Sequence, residues 1–182
     1  MDTENKQTPQ EKKDHPILDI IKPAAITAGV VLLFSVFVGH VTISGESMLP
    51  TFENGDKVLT RKVNYTPERG DIVVINTEKH PRTLIKRIIA ISGDVIDIDF
   101  EAGEVRINGN LLDEPYIYEP THERENEEIV YPLTVPDGCV FVMGDNRNHS
   151  IDSRQIGCVS VEDIDGEVFW QYMPINKFGK IQ

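Results

Sequence analysis

The feature that most constrains this chain is residues 24–43, AAITAGVVLLFSVFVGHVTI, in which only His40 can carry a charge. Twenty helical residues rise about 30 Å, the thickness of a bilayer core. No polar face breaks the run, as it would in a surface helix. Pro23 suits a helix start, and Lys22 closes the polar stretch before it. We therefore expect a transmembrane signal-anchor helix over 23–43. A cleavable leader fits less well, because its apolar region spans only about 7–15 residues and no small-x-small pair closes this one. Lys12, Lys13 and Lys22 precede the run, and the positive-inside rule leans toward a cytoplasmic N-terminus. Residues 1–22 are polar and mixed in charge, which predicts a disordered cytoplasmic tail.

The remaining residues, 44–182, have the length of one ordinary domain with a real core. Eighteen Lys and Arg against 30 Asp and Glu give the whole chain a net charge of −12. Such a surface offers no counterion-release drive toward nucleic acid, so no nucleic-acid partner is expected. Short apolar runs punctuated by Gly, Pro and Asn dominate, among them IVVIN, TLIKRIIAI, VIDIDF, EVRIN and CVFVM. Asn108-Gly109 between alternating runs is a hairpin signal. No amphipathic pattern long enough for a major helix follows the apolar run. The expected fold is mostly β, with coiled antiparallel sheets. A β domain over 44–95 and 136–182 is interrupted by a small β and loop insertion over 96–135, within which 113–131 reads as a long exposed loop. Cys139 and Cys158 fit no metal spacing, and whether they pair is left open by the sequence. No metal cluster or phosphate loop is present, so no cofactor is implied.

Three segments carry candidate chemistry. Ser47 lies four residues past the apolar run, in GESMLPT, which places it within about 14 Å of the run's end. Lys86 and Arg87 are adjacent on an otherwise apolar strand, so one of them is expected to point inward. A buried lysine loses part of its preference for the charged form and becomes a usable base. The loop GDNRNHSIDSR (144–154) follows an apolar strand and holds Asp145, Arg147, Asp152 and Arg154, able to form a charge network, with Ser150 able to orient a lysine amine.

Taken together, SGESMLPTFENGD after an apolar run, RGDIVVIN…IKRIIAISGD, GDNRNHSIDSR and the terminal GEVFWQYMP resemble the bacterial type I signal peptidases. The likeness covers residues 24 to about 95 and 136 to 180. It implies Ser47 as nucleophile, Lys86 as general base, and Ser150 as a hydroxyl bonded to the lysine. Asp145, Asn146, Arg147, Asp152 and Arg154 would support the site, and Gly45, Glu46, Met48 and Ile85 would contact substrate. It also implies the signal-peptidase type of coiled β fold and a membrane-bound serine endopeptidase that acts at the outer surface of a bacterial cell membrane. The implied partners are secreted preproteins with small residues at −1 and −3, the lipid bilayer and, by location, the export machinery. One departure is Gly45, where some members carry a serine whose hydroxyl assists the oxyanion hole.

Other readings exist. A Ser-His-Asp hydrolase would use His149 with Asp145 or Asp152, but no G-x-S-x-G elbow surrounds Ser47. An inert anchored interaction module would present Arg69-Gly70-Asp71. A self-cleaving repressor of the SOS type also uses Ser and Lys, but carries a DNA-binding domain where this chain has an apolar run. Asn64 and Asn148 form Asn-x-Ser/Thr triplets that read as accidental in a bacterial protein.

Overall fold

The structure, a computed structural model, describes residues 16–62, 65–124 and 126–181. Met1–Val36 form one unit and Phe37–Gln182 a second. In the first, helix α1 runs Pro16–Phe37. This corrects the sequence expectation at both ends. Pro16, with its fixed φ, opens the helix, so 16–22 are helical rather than part of a disordered tail; the rest of that tail lies outside the described residues. At the far end the helix stops at Phe37, and Val38–Thr42 form strand β1. β-branched Val38, Val41 and Thr42 favour the strand. Gly39 permits its close pairing with the next strand, since a Cβ there would sit 2.4 Å from Thr60 Oγ1. Ser47 therefore does not follow the helix directly, and the bound of about 14 Å reaches only to the end of the apolar run at Ile43, not to the helix end at Phe37. Among the described residues, no helix is long and apolar enough to cross a membrane. Ile26, Val31, Leu32 and Val36 of α1 are exposed.

In the second unit, strands β1 to β12 follow in chain order. They are β1, β2 (Lys57–Arg61), β3 (Ile72–Ile75), β4 (Leu84–Ile91), β5 (Val95–Asp99), β6 (Glu104–Ile107), β7 (Asn110–Leu111), β8 (Leu133–Thr134), β9 (Cys139–Met143), β10 (Val159–Ser160), β11 (Ile164–Met173) and β12 (Gly179–Lys180). The larger sheet has the order β1-β2-β11-β3-β4-β9-β10, with β12 beside β11; the smaller is β7-β6-β5-β8. All the pairs are antiparallel. Register shifts in β11 against β2 and β3, and in β4 against β9, interrupt the ladders, and such bulges bend strands and increase their twist. The smaller sheet is drawn entirely from residues 95–134. It is not a separate body. Ile96, Ile98, Val105 and Ile107 pack in one core with Ile89, Ala90, Phe141 and Met143 of the larger sheet.

β3 and β4 occupy the middle of the larger sheet, and both are buried on both faces. Their unbroken apolar runs follow from that, since alternation is expected only where one face meets water. The only α-helix after β1 in the described residues is α2, Ser153–Ile156, capped by the Asp152 side chain on Arg154 N–H.

Candidate active site

The site lies where three connections meet one end of β4. Ser47 stands in the turn between β1 and β2. Gly45 opens that turn with φ +96°, a conformation that favours glycine, and its N–H donates to Asn54 Oδ1 at 3.0 Å. Met48 and Phe52, each 1 % exposed, fix the turn to a core that includes Ile43, Val58 and Ile72. Met48 thus borders the cleft from its floor. The serine between these anchors stays half-buried and accessible.

Lys86 arrives from β4. Its Nζ donates to Ser47 Oγ at 2.7 Å and to the Ile85 carbonyl at 2.8 Å. The residue is 3 % exposed. Burial is the main force on its titration and lowers the amine from 10.5 to about 8, against the opposing pull of Asp152 and Asp145. Arg87, expected to point outward if Lys86 points in, is buried too, at 2 %. Adjacent strand residues face opposite ways, and here both faces are covered. Arg87 Nε and Nη2 donate to Asp145 at 2.9 and 2.8 Å, Nη1 donates to the Gly70 carbonyl at 2.8 Å, and the guanidinium lies 4.1 Å from the Tyr116 ring centroid. The pair is fully desolvated and bidentate, the arrangement in which a buried ion pair is best compensated. Arg69-Gly70-Asp71 is accordingly a turn that buttresses this arginine: Gly70 N–H and the Asp71 carbonyl bond the Ile88 backbone at 2.8 Å each.

The 144–154 loop contributes the third wall. Asn146 N–H donates to the Ser47 carbonyl at 3.0 Å, and its Nδ2 donates to the Glu46 carbonyl at 3.1 Å. Asp145 accepts from Thr51 Oγ1 at 2.5 Å. Asp152 is wholly buried, accepting from Arg154 Nε and Nη2 and from Gly144 N–H at 2.9, 2.8 and 3.0 Å. Burial is the largest single force and raises its pKa, but the Arg154 charge together with the hydrogen bonds from Arg154 and Gly144 N–H outweighs it and holds the carboxyl below its usual range. The expected charge network is therefore real but differently wired. Asp145 pairs with Arg87, and Arg147 pairs with Glu114 of the insertion. Ser150 departs from expectation. Its buried Oγ lies against Asp152 and helps to hold that carboxyl low, and Lys86 bonds Ser47 and Ile85 instead. Ser150 packs against Gly144, where a Cβ would lie 2.2 Å from its Oγ and 2.5 Å from the Ser47 carbonyl.

These groups border a cleft of about 750 Å³, walled by Val41–Met48 on one side and His80–Lys86 on the other, with His149 and Ile151 at its rim. Gly45, Glu46, Met48 and Ile85 line it. On one side Leu84 and Ile85 pair with β3, while β9 joins β4 only from Arg87 onward. The backbone at Leu84–Lys86 is therefore open toward the cleft. His149 is 73 % exposed, with Nδ1 3.5 Å from Glu119, and the hydrogen-bond partner of Ser47 Oγ is the lysine. Cys139 and Cys158 are both free thiols; Asn64 lies outside the described residues.

Sequence reasoning missed Glu114, Tyr116 and Thr121, all in the segment expected to be an exposed loop. Thr121 is fully buried. A signal was present in the four charges of Asp145, Arg147, Asp152 and Arg154 set beside a buried Arg87, which leaves one cation in need of an acid from elsewhere.

A hydroxyl held against a partly discharged amine, at the foot of an open-edged cleft, is an arrangement in which an adjacent base can activate a nucleophile. Residues 17–173 match the model of the signal peptidase family, peptidase S26. The chain is 33 % identical to a signal peptidase I of Leptolyngbya laminosa, over 94 % of this chain and 87 % of that one. It is 34 % identical to a signal peptidase I of Bacillus caldolyticus, over 86 % and 91 %. A crystal structure of a signal peptidase I from Enterococcus faecalis aligns with TM-score 0.47 and 30 % identity, covering 57 % of this chain and 97 % of that one. The chain belongs to the signal peptidase family: it is a serine-type signal peptidase, acting on preproteins that carry signal peptides.

Proposed function

We propose that Ser47 is the nucleophile and Lys86 the general base, and that the enzyme cuts at the membrane surface after small residues at −1 and −3. The observation that carries this reading is the 2.7 Å hydrogen bond between a 3 %-exposed lysine amine and the serine hydroxyl. In the neutral form the Lys86 amine takes the Ser47 proton as Oγ attacks the scissile carbonyl, forming a tetrahedral oxyanion. The Ser47 backbone N–H is the donor offered to that oxyanion, since Gly45 brings no hydroxyl. The lysine then returns the proton to the leaving amine, and the acyl group stays on Ser47. A water, deprotonated by the same amine, attacks the ester, releases the cleaved signal peptide as a carboxylate and restores both residues.

The substrate would lie extended in the cleft, adding a strand against the open backbone of Leu84–Lys86. Residues at −1 and −3 then point to one side, as alternate strand residues do, and a shallow apolar wall admits Ala or Gly there while excluding bulk. Asp145, Asn146, Arg147, Asp152 and Arg154 hold the loop, and Ser150 lies within the same wall.

For location we propose that the apolar segment beginning at Ala24 anchors the chain in a bacterial membrane, with the N-terminus cytoplasmic and the β unit outside. The uncharged stretch of α1 from Ala24 onward, with Ile26, Val31, Leu32 and Val36 exposed, supports a lipid environment. Carbonate extraction of membranes should leave the full chain in the pellet, and external protease should reach the β unit in spheroplasts; release by carbonate would end this part of the proposal. For substrate choice, a synthetic preprotein with Ala at −3 and −1 should be cut after the −1 Ala, and Phe at either position should slow it roughly 5- to 150-fold, since overpacking costs about 1–3 kcal/mol. Equal cutting of the Phe substrates would refute the small-residue preference.

A further inference from the structure

Residues 114–123 strap the 144–154 loop, and none of them lines the cleft. Glu114 Oε2 accepts from Arg147 Nη1 at 3.1 Å, and its Oε1 accepts a very short bond from Nη2. Thr121 Oγ1 accepts from Arg147 Nη1 at 2.9 Å. The arginine turns its Nε to the Gly144 carbonyl at 3.1 Å. Two residues beyond Gly144, Asn146 N–H holds the Ser47 carbonyl at 3.0 Å. Around this line the strap adds further ties: Tyr118 N–H donates to the Asp145 carbonyl at 2.9 Å, Asn148 Oδ1 accepts from the N–H groups of His122 and Glu123 at 3.0 Å each, Asn148 Nδ2 donates to the Pro120 carbonyl at 3.2 Å, and Arg154 Nη1 donates to the Glu123 carbonyl at 3.2 Å.

Arg147 is fully buried, and the Glu114 side chain is 7 % exposed. A buried guanidinium without its acid is a large defect, so the pair is held or broken as a unit. Glu114 lies 33 residues from Arg147 in sequence and touches neither Ser47 nor Lys86. Its effect must pass through the loop.

We infer that Glu114 is a positioning residue for the proposed nucleophile: through Arg147 and the Gly144–Asn146 backbone it fixes the Ser47 peptide against Lys86. The insertion is thus part of the catalytic apparatus, acting through its loop. This rests on the assignment of Ser47 and Lys86.

The test uses the full chain in detergent, as wild type, Glu114→Gln, Arg147→Gln and the double variant. Glu114→Gln keeps the size of the side chain and removes its charge. Amide hydrogen exchange is read by mass spectrometry, which needs no activity. Glu114→Gln should speed exchange at least tenfold in peptides covering 45–50 and 144–150, while the 84–91 strand stays as protected as in wild type. In preprotein cleavage, kcat should fall roughly 10- to 100-fold with KM within threefold, the scale of a small misplacement of reacting groups. Glu114→Asp should recover part of that loss. The double variant should be no slower than the slower single one, because both act through one contact. Unchanged exchange at 45–50, or faster exchange everywhere including 84–91, would overturn the inference. So would independent, multiplying losses in the double variant. If wild type cleaves no preprotein, the proposed function fails, while the exchange data still decide whether Glu114 holds the Ser47 peptide.

Discussion

Raising pH through the titration of Lys86 is the perturbation that this site makes quantitative. Burial lowers the amine from 10.5 to about 8. At pH 7 about one molecule in ten is then neutral, against about one in 3,000 for an unshifted lysine, and the difference corresponds to roughly 3 kcal/mol. If the neutral amine is the reactive form, kcat/KM should climb about tenfold from pH 7 to a plateau near pH 9, with a single ionisation near 8 governing the free enzyme. The assay is initial-rate cleavage of a quenched fluorescent preprotein segment from pH 6 to 10.5, with buffers matched in ionic strength. An ascending limb that continues to pH 10 or above would show a solvated lysine, and the desolvation argument would fall. A flat profile would remove lysine from the base role altogether.

Other consequences follow from the same contacts. Because the folded-state pKa of Lys86 lies below its unfolded value, the unfolded chain binds more protons between about pH 8 and 10.5, so stability rises with pH across that window. Lys86→Met should therefore raise Tm at pH 7, by an amount corresponding to at most ~3 kcal/mol, and the gain should shrink by pH 10.5; a variant less stable than wild type at pH 7 would contradict this. Asp145→Asn leaves the Arg87 guanidinium buried beside a neutral partner, and urea unfolding should show a loss of about 3–5 kcal/mol; a loss under 1 kcal/mol would mean that water reaches the pair. Gly144→Ala places a Cβ 2.5 Å from the Ser47 carbonyl and 2.2 Å from Ser150 Oγ. It should cut kcat at least ~100-fold, measured on protein whose circular dichroism matches wild type; near-normal rates would show that this wall yields easily.

Local order was readable from the sequence, and long-range order was not. The alternation in VIDIDF and EVRIN and the Asn108-Gly109 turn marked β5, β6 and the turn into β7, because period-2 burial and a left-handed turn are local properties. The apolar run misled at its end. Hydropathy cannot tell a helix from a strand, and Val38–Thr42 were settled by pairing with Lys57–Arg61 far along the chain. The serine and lysine were legible through their resemblance to a family motif. The reason Lys86 is buried is that β4 lies inside the sheet between β3 and β9 with both faces covered by segments distant in sequence, which no window of sequence contains. Arg87 illustrates the same limit: its acid is 58 residues away. Glu114 was hidden for a related reason, since a charged, proline-punctuated stretch reads as solvated until Arg147 is seen facing it.

The pairing of Ser47 with Lys86 is tested most directly by preprotein cleavage with four forms of the full chain: wild type, Ser47→Ala, Lys86→Ala and His149→Ala. The lysine mechanism predicts that the first two substitutions abolish cleavage and that His149→Ala cleaves at a rate close to wild type. An inactive His149→Ala together with an active Lys86→Ala would contradict it and give the base role to the histidine.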